Sequence, residues 1–348
     1  MSLVLSIVRG SRRVSLSAAN PRAARTAAAV VFLCAAPTVA FAQAWLPMKG
    51  EGSISTGVQI LHVNWHIERD GSRQEEANIQ IRNVTADLTY GLTNRLALDV
   101  GLPYVASRFG ELSHPCPDPV LSGEGKVLYL PCAFAESPTI DTGRYYKVFQ
   151  DLRMNVRYAM WSRHLTLTPS IGIVLPVQNY ETHGHAAPGR HLRELDLGLH
   201  AGRSLGPFAP STYIQASYTH AVVQHLVHHE LDLGLNRSNA ELEVGHQVTP
   251  VVSAQAFVTW QHTHGGLEWV DELFEPGSVH EEIHDQAAKA SHWRAGVGVS
   301  YAVTEAVGIN VSVLTTLAGK NTHKIDGVTI GTTWSFGLGN GTIGGPRK

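Results

Sequence analysis

In the segment HEEIHDQAAKASH, His280 and His284 stand four residues apart, a spacing that brings two imidazoles to one face if the segment is helical. Neutral imidazole binds zinc and copper, so this pair is a candidate metal site. The chain has nineteen histidines in all, many of them in clusters: His183, His185 and His191; His220, His225, His228 and His229; His262 and His264. None of the clusters shows the short regular ligand spacing of a zinc motif, and solvated polar loops are the other reading. Cys116 and Cys132 share a Pro-rich segment, where oxidising conditions would join them in one disulfide. Hydrolysis of a lipid ester at a barrel wall would need a Ser and a His fixed on the face turned to lipid. His62, His220 and His262 stand where such a base could, but no Ser forms a recognisable nucleophile motif with them. No cofactor is expected.

A second set of reactive side chains is ionic and alternates with apolar residues. It comprises Asp87, Asp99, Asp151, Glu194, Asp196, Glu241 and Glu243, with Arg153, Arg157 and Arg294 as the bases. In VTADLTYGLTNRLALDVGLPY, residues 84 to 104, the apolar residues recur at every second position on both sides of a Gly91 to Asn94 hinge. That is the period of a β-strand, so one face is greasy and the other polar or charged. The pattern returns along the chain and predicts twelve strands, near residues 54–60, 84–90, 95–104, 152–158, 165–173, 195–201, 214–218, 240–244, 252–258, 293–301, 307–313 and 328–336.

Connections after the even strands read as short turns, and those after the odd strands as longer loops. An even strand number, short turns on one side, long loops on the other and aromatic residues at strand ends are the marks of an all-β transmembrane antiparallel barrel. A soluble sandwich predicts no such asymmetry. In a barrel the apolar set faces lipid, and the ionic set lines the lumen. Twelve strands fall between a barrel filled by its own side chains and one that leaves a wide aqueous channel. The expectation is a narrow path for small solutes, mildly biased towards cations or neutral compounds because acids outnumber bases along it.

The N-terminus agrees with an envelope location. Five arginines precede an apolar run from Ala27 to Phe41 that ends in Ala40-Phe41-Ala42, the order of parts in a signal peptide. Cleavage is expected after Ala42, leaving a barrel over residues 43–336 and a Gly-rich tail over 337–348. Loss of five arginines leaves 22 basic against 29 acidic residues, a charge near −7 that argues against a nucleic-acid partner. No apolar run after residue 43 approaches the roughly 18 residues of a membrane helix, so any membrane is crossed by strands. Val328, Ile330, Trp334 and Phe336 resemble the closing signal by which the barrel-assembly machinery recognises such chains for insertion, although twelve residues follow Phe336.

The hairpin YGLTNRLALDVGLPY is similar to the tyrosine-glycine-turn and glycine-leucine-proline-tyrosine pattern of outer-membrane transporters of the "MetA-pathway of phenol degradation" family. VTPVVSAQAFVTWQHTHGG and GKNTHKIDGVTIGTTWSF look like later hairpins of the same family. The segment YYKVFQDLRM and the long cysteine loop depart from it. The resemblance implies an envelope transporter whose solutes include aromatic or other hydrophobic compounds, with outer-membrane lipid as its surroundings. Capture of zinc or copper by the His-rich loops is the alternative reading, and a barrel-type lipid hydrolase a third.

Overall fold

The computed structural model describes residues 44–338, except 75–77, 111–119, 122–126, 129–139, 142, 163–164, 270–282 and 284. His164, His280, His284, Cys116 and Cys132 lie outside the described residues, as do residues 1–43, with the expected leader, and residues 339–348. Twelve described strands close into an antiparallel barrel. They are β1 (Gly52–Ile67), β2 (Ile79–Thr93), β3 (Leu96–Phe109), β4 (Leu152–Tyr158), β5 (Thr166–Leu175), β6 (Glu194–Ser204), β7 (Thr212–Val223), β8 (Arg237–Gln247), β9 (Val252–Thr263), β10 (Ser291–Ala302), β11 (Val307–Lys320) and β12 (Thr322–Phe336). Each pairs with its sequence neighbours, and β1 pairs with β12 from Gly52 opposite Phe336 to Ile67 opposite Thr322, so no edge is left to meet hydrocarbon.

Alternation fixes which way each side chain points. Val58, Leu197, Leu199, Val297, Val299, Val311, Ile330 and Trp334 are exposed large apolar residues on the outer face. In water such a continuous apolar surface would be unfavourable; against acyl chains it is the stable arrangement. Among the described residues no helix is long and apolar enough to cross a membrane. The polar residues of the same strands turn to the concave face.

Two local features follow from single residues. Pro169 cannot donate to a ladder, and the pairing of β5 with the β4 side is interrupted there: Leu167 faces Trp161 and Ser170 faces Arg157, with the chain between them unpaired. On its other edge Pro169 sits opposite Leu199. The second is a correction. A longer loop was expected between the last two strands, but both extend until a tight turn at Asn321 joins them, with φ of 48°. Asn accepts this left-handed conformation at low steric cost. The apolar alternation fades after Val313 because the outer part of the hairpin rises above the lipid, where a polar outward face is stable.

Candidate functional site

One stretch of the inner wall carries an ion pair between neighbouring strands, and its geometry comes from strand register. Asp99 on β3 and Arg157 on β4 both point inward, and the guanidinium grips the carboxylate with two bonds: Nε to Oδ2 at 2.6 Å and Nη2 to Oδ1 at 2.7 Å. Thr89 Oγ1 donates a further bond to Asp99 at 2.8 Å. Asp87 folds over Gly101 on the next strand, where a Cβ would stand 2.3 Å from its Oδ1. Gly101 is also the cross-strand partner of Arg153, so these groups share one stretch of the inner wall.

A second group gathers on β6 to β10. Glu194 pairs with Arg237, a base the alternation reading did not include because Arg237 stands at the end of its strand, outside the Ala240 to Val244 repeat. Asp196 is opposite Ala221, and Ala221 is opposite Arg237, so the three lie along one inward row. Glu243 accepts bonds from Tyr213 Oη at 2.6 Å and Gln215 Nε2 at 3.1 Å. Glu241 and Arg294 lie on one inward row, separated by Thr259. Asp151 differs from the rest. It sits in the break between β4 and the short strand Tyr146–Phe149, and its Oδ1 accepts from Tyr180 Oη at 2.8 Å.

At both ends of the barrel, segments that the sequence did not announce fold inward. At the short-turn end, residues 44–49 fold into the barrel. Thr168 Oγ1 donates to the Ala44 carbonyl at 2.7 Å, Arg157 Nη1 to the Trp45 carbonyl at 3.4 Å, and the Lys49 amide to Asn94 Oδ1 at 3.0 Å. The Trp45 ring meets Tyr213 edge-on at 5.9 Å. Gly202 makes room for this strap: a Cβ there would lie 2.6 Å from the Ala44 Cβ and 2.7 Å from the Trp45 ring.

At the outer end the connection from β5 to β6, residues 176–193, lies across the mouth. Asp141 holds it, accepting from the amides of His185 and Ala186 at 2.8 Å each, and lies 3.0 Å from His185 Nδ1. Ser107 Oγ on the inner face of β3 donates to the Ala186 carbonyl. Gln286 Nε2 reaches the Arg190 carbonyl at 2.6 Å from the opposite loop. Arg190 is buried beside Arg237, and both effects lower its pKa; Glu194 and Asp285 oppose them. Burial and the Asp151 charge raise the pKa of Tyr180, which keeps its hydroxyl a donor.

Rings from five parts of the chain meet here: His66 lies 4.7 Å from His323, 5.2 Å from Trp269 and 6.1 Å from His185, and Phe109 stacks on His185 at 4.4 Å. The sequence clusters do not correspond to these contacts, since His66 and His323 belonged to none. Among the described residues no group of three or more His, Cys, Asp or Glu is arranged to hold a metal ion.

On the outer wall, Ser238 Oγ lies 2.8 Å from His264 Nε2, 3.3 Å from His220 Nδ1 and 2.8 Å from Tyr218 Oη. Register alone brings Ser238 between His220 and His262. Ser238 is 2% exposed and its hydroxyl is shared among three partners, the state of a structural hydrogen-bond knot.

A closed wall with a lipid-compatible exterior and an ionic interior defines an outer-membrane β-barrel. Comparison with solved structures agrees. The chain is similar to the COG4313 outer membrane channel from Pseudomonas putida F1, with a TM-score of 0.61 and 14% identity over 84% of this chain and 97% of that one. At that identity the likeness is one of fold, and it is the barrel that the hairpin resemblance implied. The NanC porin (TM-score 0.44, 6% identity, 80% of this chain and 98% of that one) and the CymD monoaromatic hydrocarbon channel (0.40, 12%, 83% and 89%) are more distant. No family model matches the sequence, and no curated protein matches it.

Proposed function

We propose that the protein is an outer-membrane channel for small solutes, aromatic or other hydrophobic compounds among them, with a path that is obstructed at rest at both ends. The observation that carries this reading is the pairing of a closed barrel with two inserted segments, the strap over residues 44–49, held by a few polar contacts, and the loop over 176–193, held by polar contacts and by Leu192 in a hydrophobic cluster. A structural filler would be expected to pack the lumen along its height; here the obstructions sit at the mouths. Solutes would pass along Asp87, Asp99, Asp151, Arg153, Arg157, Glu194, Asp196, Glu241, Glu243 and Arg294, whose acid excess favours cations or neutral compounds over anions. The likeness in fold to the Pseudomonas putida channel supports the reading.

Planar-bilayer recording on the purified chain tests it. Small conductance steps are expected, with a reversal potential that favours cations. Changing Glu241 or Glu243 to Gln should lower that preference. Silence across salts and voltages, with the strap removed, would exclude a channel. In the same reading the leader is removed after Ala42, and the assembly machinery engages the β12 signal. Cys116 and Cys132 form one disulfide, which alkylation and mass measurement of the native protein would detect.

A further inference from the structure

The outward row of a membrane barrel should be apolar, and on β2, β3 and the short strand Tyr146–Phe149 it is so only up to a definite height. Ile60 and Val58 of β1 face lipid, and their partners on β2 are Arg82 and Val84. Val84 is level with Tyr104 and Phe149, and these two rings touch edge to face at 5.1 Å, a local aromatic girdle. One step higher the outward row reads Arg82, Ala106, Lys147, and the step above that brings Gln80 beside Arg108. Three cations therefore stand immediately above the girdle.

Height places them at the headgroups. From Leu96 to Ala106 the strand climbs ten residues, about 26 Å at a rise of about 3.4 Å and a tilt of about 40°, which matches the height of the apolar band of such barrels.

The patch is built from side chains that hold one another in place. Arg108 is only 9% exposed; its Nε and Nη2 donate to Gln80 Oε1 at 3.2 and 2.8 Å, and Tyr145 Oη donates to the same oxygen at 3.1 Å. The guanidinium carbons of Arg82 and Arg108 lie 4.6 and 5.0 Å from the centre of the Tyr145 ring, which holds two like charges near each other. Nη1 of Arg108 is buried without a hydrogen-bond partner, and among the described residues no carboxylate pairs with Arg82, Arg108 or Lys147. Such a concentration of positive charge, fixed by an aromatic ring and facing lipid, is stable when an anion sits on it.

We propose that Arg82, Arg108, Lys147 and Tyr145 form a binding site for the phosphorylated headgroup of an outer-leaflet glycolipid of the lipid A type. Its acyl chains would lie along Val84, Tyr104 and Phe149, and its phosphate would meet the exposed Arg82 and Lys147, with Arg108 adding positive charge from behind. Surface electrostatics of this kind amount to about fivefold in affinity per cation.

Native mass spectrometry on the full mature chain in detergent tests the site, with bis-phosphorylated lipid A, its dephosphorylated form, phosphatidylethanolamine and inorganic phosphate as probes. Retention of bis-phosphorylated lipid A above the other three is expected. The double variant Arg82→Gln with Lys147→Gln should weaken it about thirtyfold while heat-modifiable migration and single-channel conductance stay unchanged. Equal retention of the phosphorylated and dephosphorylated forms by the unaltered protein would overturn the proposal, a result that depends on no variant folding. So would binding of inorganic phosphate as strong as that of the lipid, or a double variant that keeps full affinity.

Discussion

The two mouths of the barrel are obstructed by different physics. At the short-turn end the strap over residues 44–49 relies on hydrogen bonds donated by Thr168 and Arg157, one accepted by Asn94, and one ring contact between Trp45 and Tyr213. Three such bonds contribute about 3 kcal/mol in all. At the outer end the loops have a hydrophobic cluster of their own: Leu192, Val223, Leu226, Leu235 and Ile283 are buried together, with Leu231, Leu233 and Leu267 packed against them. Burial of five such side chains contributes on the order of 10 kcal/mol. The difference teaches that the strap is the obstruction that thermal motion or a solute displaces first, while the outer cap behaves as a folded lid with its own core.

Removing the strap, by starting the mature chain at Gly50, should therefore give the largest change: single-channel conductance is expected to rise severalfold. If conductance stays at the level of the full chain, the strap does not limit the path and the comparison fails. Gly202→Leu is a gentler version. Its side chain would take the space of Ala44 and the Trp45 ring, so conductance should rise by less than on deletion, and proteolysis near residue 45 should quicken. An unchanged cleavage rate would mean that the strap stays seated.

Arg157→Ala touches both the strap and the lumen. It leaves Asp99 without its bidentate partner and removes the bond to the Trp45 carbonyl. A loss of about 2 kcal/mol in denaturant unfolding from vesicles is expected, with a shift of reversal potential towards stronger cation preference. A shift towards anions would contradict the placement of Asp99 on the path. The smallest effect belongs to the cap. Tyr180→Phe deletes the bonds to Asp151 and from the His191 amide, about 1 kcal/mol after relaxation. It should lengthen brief openings without altering the conductance level, because the hydrophobic cluster remains. A changed level would show that loop 176–193, rather than the strap, sets the bore.

Much of the wall was legible in the residues. The period of two in Val84 to Tyr104 or in Leu195 to Ala201 is imposed by the pleat and by the contrast between lipid and a polar interior, so it survives in any readable form of the chain. The ionic residues were read from the opposite parity of those strands, and their place along the solute path is part of the proposal. The site at the mouths was not. Residues 44–49 carry no periodicity, and nothing local says that they turn inward; Gly202 and Gly91, which let the strap approach, become informative only when their neighbours are known. The inward loop was equally silent, since Asp141, Ser107 and Gln150 grip it from distant parts of the chain. His66 and His323 were passed over in favour of clusters close in sequence, yet the β1 to β12 closure places them opposite each other.

Sequence by itself determined the strand number, which face of each strand meets lipid and the ionic character of the other face, because these depend on the contrast between neighbouring residues along one strand. The outer length of β11 and β12, the break at Asp151, the partners of Arg237, the strap and the cap were decided only by the tertiary structure. They depend on barrel closure, register and inserted segments, which bring together groups that share no local pattern. The same holds for the cations above the girdle: Arg82, Arg108 and Lys147 share no local pattern in the chain, and only the register of three strands gathers them on two successive outward steps.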